Sequence, residues 1–147
     1  MAINYYSEGV TIPHFRRREV NAWISDVATE YGYKVGDITY QFCDNERILE
    51  INKQYLNHDY YTDIITFDQT RDGLLFADIV ISLEMVESNA EDFGERFERE
   101  LLRVIIHGIL HLCQVNDQTD EEAQEMRAAE ENALAMLPAD LSEMWRK

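Results

Sequence analysis

The stretch 104–122, "VIIHGILHLCQVNDQTDEE", changes character halfway along. Val104, Ile105, Ile106, Ile109, Leu110 and Leu112 surround a helix axis almost completely, and a helix that is apolar nearly all round belongs in the middle of a fold. Within it, His107 and His111 stand four residues apart, on one face and about 40° from each other around the axis. After Cys113 the chain turns polar through Asn116, Asp117 and Asp120. Thr119 with Glu122 is the pair that opens a further helix by a capping box. A buried helix needs elements to bury it, and the flanking sequence supplies them.

Working outward, "ERFERELLRVIIHGILHLC" is the whole of this central helix, and "TDEEAQEMRAAEENALAML" follows as another, with Pro138 beyond it. Upstream, "LLFADIVIS" and "DIITFD" are β-branched and aromatic, and they read as strands joined by the turn-like "QTRDG". Ser82 can cap the helix "LEMVESNAEDFG". "NERILEINKQYLN" has helical spacing through Ile48, Leu49, Ile51 and Leu56, with Asp44 or Asn45 as its cap. "DITYQFCD" alternates as a strand does. "RREVNAWISDVATEYGY" is helical through Val20, Trp23, Ile24 and Val27, with Gly32 as stop. "INYYSEGVTI" reads as the first strand. The order β-α-β-α-β-β-α-α-α specifies an α+β fold, a four-stranded mixed sheet with helices packed against it.

The 147 residues, 46% of them apolar and 11% aromatic, fit one domain over 1–147 with a full core. No apolar run approaches the roughly 20 residues of a membrane span. "MAINYYSEGV" lacks the basic-then-apolar pattern of a signal peptide. Cys43 and Cys113 make no disulfide framework, so the cytoplasm is the expected compartment. The formal net charge is −16. A protein that grips nucleic acid over a broad face carries a basic stripe. Here cations are sparse and local: Arg16–Arg18, Arg47 with Lys53, and Arg96, Arg99 and Arg103. That argues against an extended nucleic-acid surface, but not against a small site in which a metal ion supplies the positive charge.

Two imidazoles on one face can be aimed at one ion, and a tetrahedral site needs more. Asp117 lies six residues past His111. If the helix ends near Cys113 or Gln114, the chain can return and set that carboxylate beside the histidines. The six-residue step is the one that zincins use for a third ligand. A pair of histidines four apart is also a common product of packing. The apolar surroundings argue for ligation, because buried neutral imidazoles need partners. Gly108 occupies the place of the glutamate base of HExxH peptidases, which argues against peptide hydrolysis. It fits either close approach of a substrate or tight helix packing. Cys113, about 200° round from His111, belongs to the core, as does Cys43.

"HGILHLCQVND" resembles the HGxLHLxGYDH signature of the YbeY family. "TDIITFD" (62–68) is similar to that family's TDVLSF segment, "ADIVIS" (77–82) to GDIxIS, "NKQYL" (52–56) to NxxYR and "MRAAEENAL" (126–134) to its closing MxxxE helix. The matches run in order from about residue 40 to residue 137. The resemblance implies a metal-dependent, single-strand endoribonuclease acting in ribosomal RNA maturation. The ligands it implies are His107, His111 and Asp117, with aspartate where the family has its third histidine. One Zn²⁺ per chain is the expected cofactor, another transition ion being compatible with the spacing. The expected partners are single-stranded ribosomal RNA and the small ribosomal subunit or its assembly factors, with no membrane. Two departures stand out. Leu56 replaces the family's arginine, for which Lys53, Arg47 or His58 are the nearby substitutes. Gln114 replaces the glycine that eases the helix stop. Gln114 either takes a left-handed conformation at a cost of about 1 kcal/mol or the turn moves on to Asn116. Tyr60 and Tyr61 are candidates for stacking on bases, and Asp63 and Asp78 for the general base. The competing expectations are a ribosome-assembly factor with a structural metal and a metallohydrolase of another substrate.

Overall fold

In the computed structural model, which describes residues 2–56 and 62–137, side chains along the strand Leu74–Ser82 alternate between two packed faces. His58, Tyr60, Tyr61 and Pro138, considered above, lie outside the described residues. The elements are β1 (Ala2–Ser7), α1 (Arg17–Glu30), β2 (Lys34–Cys43), α2 (Asn45–Leu56), β3 (Ile64–Asp68), β4 (Leu74–Ser82), α3 (Leu83–Phe93), α4 (Phe97–Leu112) and α5 (Asp120–Ala135). The order expected from the sequence is the order observed. The first strand is shorter than expected, because its ladder with β2 ends at the pair Ser7 and Phe42.

The sheet order is β1-β2-β4-β3. β1, β2 and β4 run parallel, and β3 returns antiparallel along β4 from the pair Asp68–Ala77 to Ile64–Ile81. Alternate residues of a strand face opposite sides. Leu75, Ala77, Ile79 and Ile81 of β4 join Ile38, Tyr40 and Phe42 of β2 in the large core beneath α1, α4 and α5. Val80 faces the other way and packs with Cys43, Ile65, Ile48 and Ile51 beneath α2.

α4 is the central element. Leu101, Leu102, Ile105, Ile106, Ile109, Leu110 and Leu112 are fully buried. A Cβ placed on Gly108 would lie 3.2 Å from the Cδ1 atoms of both Ile64 and Ile79. The glycine therefore serves close packing of helix on sheet, and the alternative of a substrate passage does not hold at this position. Tyr40 pins the helix from below by donating to the Ile105 carbonyl at 3.0 Å. α5 is held to α1 by Trp23, whose Nε1–H donates to the Ala133 carbonyl at 2.7 Å. Ser82 and Thr119 cap α3 and α5 as their residue types require, Thr119 and Glu122 forming the full capping box. Asp44, not Asn45, caps α2, accepting from the Arg47 amide at 2.9 Å.

Candidate metal centre

The end of α4 decides whether Asp117 can reach the histidines. Gln114 has φ +73. Its amide donates to the His111 carbonyl and the Val115 amide to the Leu110 carbonyl, at 3.1 and 3.0 Å. This is the Schellman stop that glycine normally makes, and Gly32 makes it at the end of α1 with φ +82. The left-handed residue is thus Gln114 and not Asn116, at a local cost of about 1 kcal/mol. The turn reverses the chain so that residues 115–118 run back beside α4.

Asp117 then meets His107: its Oδ2 lies 3.5 Å from Nε2 of the imidazole. Two donors about 2.0–2.1 Å from one tetrahedral ion are about 3.3–3.4 Å apart. The observed separation is that of a ligand edge and is long for a hydrogen bond. The other ring nitrogen is engaged: Nδ1 of His107 lies 2.8 Å from Oε2 of Glu130 on α5. With Nδ1–H donating to that carboxylate, the lone pair of Nε2 points at Asp117. That is the orientation and tautomer of a ligating imidazole. His111 sits one turn later on the same face, half-buried, and its ring hydrogen-bonds no described residue. It is not brought against the other two: among the described residues no three His, Cys, Asp or Glu groups converge enough to enclose an ion. The His111 ring makes no hydrogen bond to a described residue that would hold it in this orientation. The donor chemistry and the edge from His107 to Asp117 fit a zinc-like ion.

The surroundings of His107 are strongly ionic. Burial works against a charged imidazole. The hydrogen bond to Glu130 and the charges of Glu130, Asp63 and Asp117 outweigh it and raise the pKa above the usual value. Asp63, just before β3, is pushed up by burial, against the opposing pull of His107. It accepts a hydrogen bond from Asn89 of α3 at 3.1 Å. Behind the imidazole a cavity of about 230 Å³ is lined by Asp63, Asn89, Glu100, Arg103, Arg127 and Glu130, among others. Arg103 is almost fully buried there. Its Nη1 lies 3.4 Å from Glu130, its Nη2 2.8 Å from Glu131 and its Nε 3.2 Å from Glu100.

Several expected residues are elsewhere. Asp78 is exposed and lies on the α2 side of the sheet, lining a groove with Arg47, Tyr55 and Phe67. As the neighbour of Ile79 it faces away from α4, so it is no base for this site. Arg47 is held by Glu8 and Glu50, at 3.2 and 3.6 Å. Leu56 is 40% exposed at the end of α2. Both cysteines are buried, and burial first of all pushes Cys113 up to about 11 and Cys43 to about 12. They stay protonated thiols rather than thiolate ligands. Glu130, Arg103 and Glu100 carried no site signal in the sequence beyond the similarity of the MxxxE segment.

The family described as Endoribonuclease YbeY matches residues 3–138. A protein named Endoribonuclease YbeY from Bacteroides thetaiotaomicron is 53% identical over 136 residues, covering 92% of this chain and 99% of its own. One of the same name from Porphyromonas gingivalis is 54% identical over 135 residues, covering 92% and 89%. The solution structure of TM1509 from Thermotoga maritima superposes with a TM-score of 0.63 at 26% identity, covering 90% of this chain and 87% of that one.

Proposed function

The chain belongs to the Endoribonuclease YbeY family, and from that premise we propose that it cuts single-stranded ribosomal RNA at a metal held by His107, His111 and Asp117. It is an endoribonuclease, a hydrolase of phosphodiester bonds. The observation that supports the ligand set is the edge from His107 Nε2 to Asp117 Oδ2, with Nδ1 already committed to Glu130. Zn²⁺, one per chain, is the ion we assign. When bound, it supplies Lewis-acid stabilisation of charge on a phosphoryl oxygen. The aspartate takes the place of the family's third histidine and adds one negative charge to the ligand set. Asp63 lines the same cavity as His107, and burial raises its pKa above the usual carboxylate range. A peptidase reading loses ground, because a side chain at Gly108 would run into Ile64 and Ile79.

Among the described residues, five arginines, Arg47, Arg96, Arg99, Arg103 and Arg127, are already engaged by carboxylates and are poor candidates for phosphate contact. Each phosphate neutralised in a single strand contributes about −0.7 to the slope of log K against log salt. The expected slope corresponds to about two to four contacts, with weak binding of isolated RNA. Fluorescence anisotropy of a single-stranded RNA across a salt series measures it; a slope of many contacts would mean that a broad basic surface takes part in binding. Docking to the small ribosomal subunit would raise the local RNA concentration. No helix among the described residues is long and apolar enough to cross a membrane, and we assign the protein to the cytoplasm.

The ionic surroundings give a pH signature. His107, Asp63 and Glu100 all have raised pKa values in the fold, so at these three groups the folded chain binds more protons than the unfolded one, whereas Glu131, hydrogen-bonded by Arg103, is lowered and acts in the opposite sense at acid pH. The part of the metal-free protein's stability that rests on the three raised groups falls as pH rises. The His107 part is complete below its unfolded value of about 6.5 and is lost as pH climbs through the higher folded value. Zinc works in the opposite direction, because it needs the imidazoles deprotonated. The melting-temperature gap between zinc-loaded and metal-free protein is expected to widen from pH 6 to pH 8. Paired thermal melts check this, and a constant gap would remove the histidines from the ligand set.

A further inference from the structure

Resting on the assignment of His107, His111 and Asp117 as ligands, we infer that Glu130 is the positioning residue for His107 and that Arg103 acts on the site through Glu130. The two carboxylate oxygens of Glu130 divide their work. Oε2 serves the imidazole alone, at 2.8 Å from Nδ1, while Oε1 faces the guanidinium groups of Arg103 at 3.4 Å and Arg127 at 3.7 Å. Glu130 is 6% exposed and Arg103 3% exposed. A carboxylate that deep is retained only with partners, and an ion pair between α4 and α5 could be built from Oε1 alone. The allocation of Oε2 to the imidazole is what a joint between helices does not require and a ligand-orienting group does. Arg103 and His107 are four residues apart on α4 and share a face, so one carboxylate from α5 spans both. The competing carboxylates are committed or distant. Asp63 takes its hydrogen bond from Asn89, and Glu131 pairs with Arg99 and Arg103 without contact to His107. α5 therefore sets the first ligand of a site to which it contributes no ligand.

The test uses the full chain. Zinc affinity is measured by chelator competition for wild type, Glu130→Gln, Glu130→Ala, Glu125→Gln, His107→Ala and Arg103→Lys alone and with Glu130→Gln, with circular dichroism to confirm folding. In parallel, ¹⁵N NMR of the metal-free protein reads which nitrogen of His107 carries the proton. Glu130→Gln keeps the shape and removes the charge. It is expected to weaken zinc binding about 10–100-fold and to erase the Nδ1–H preference; Glu130→Ala is expected to lose more. Glu125→Gln, exposed on the same helix, should change either readout little. Arg103→Lys should weaken binding in the wild type and add nothing in Glu130→Gln, as it must if it acts through that carboxylate. A folded Glu130→Gln protein with wild-type zinc affinity and an unchanged tautomer overturns the inference. Undiminished zinc binding by His107→Ala overturns the ligand assignment instead.

Discussion

Alanine in place of His111 is expected to lower RNA cleavage by on the order of 10³-fold while leaving the protein folded. The size follows from the chemistry: Lewis-acid stabilisation of transferring phosphoryl charge is worth several kcal/mol, and each 1.36 kcal/mol is tenfold in rate. The fold should survive because the His111 ring is only half-buried and hydrogen-bonds no described residue. The core face of α4 is carried by Leu110 and Leu112 on either side of it. His107→Ala is a poorer test of catalysis, since it also strips the buried Glu130 of a partner. The measurement is cleavage of a single-stranded RNA at fixed zinc, with wild type and variant prepared identically and melted in parallel. Equal residual cleavage by both would assign the activity to a contaminant. The reading as an assembly factor with a structural metal would then replace catalysis for this chain.

The largest loss of stability is expected from Arg103→Met. The substitution roughly keeps the apolar length of the side chain, yet leaves Glu100 buried without its paired guanidinium and Glu130 with only Arg127 and His107 beside it. Glu100 is 3% exposed, and its Oε1 has no hydrogen-bond partner among the described residues, only the ion pair with Arg103 Nε. Removing one member of a buried pair costs about 3–5 kcal/mol, because the remaining charge stays desolvated. For a domain of this size that lowers the melting temperature by roughly 10–15 °C. Two further outcomes separate this cause from lost packing. The deficit should shrink as pH falls, since the abandoned carboxylates can then take up protons in the fold. Adding Glu100→Gln should recover part of it. A melting temperature within a few degrees of wild type, unchanged by pH, would mean that water already reaches these groups.

The architecture was legible in the sequence because its signals are local. The alternation in "LLFADIVIS", the caps Ser82 and Thr119 and the stop at Gly32 each depend on residues a few positions apart, and they appear in the structure where they were expected. The pair His107 and His111 was legible for the same reason: a period of 3.6 puts residues four apart on one face whatever surrounds them. Asp63 and Asp78 show where such reasoning stops. Both precede apolar strand residues and look alike in sequence. The strand pleat and the placement of α3 and α4 put Asp63 in the cavity behind His107 and Asp78 on the opposite, exposed side.

The sequence by itself determined the α+β order, the central apolar helix and the two imidazoles on its face, since each is a matter of period and capping within one segment. It also named Asp117 as a candidate partner, but only the tertiary structure brought Asp117 and Glu130 to His107. Asp117 returns because Gln114 adopts a left-handed conformation that glutamine does not favour, closed by the two backbone hydrogen bonds at the end of α4. Glu130 is one glutamate among several in "EEAQEMRAAEEN", and apart from its place in the MxxxE segment nothing local distinguishes it from Glu131 beside it. Docking of α5 against α4 turns one of these two inward to His107 and leaves the other half in solvent. Successive residues on a helix point about 100° apart, and which of them meets a buried partner is fixed by how the two helices pack.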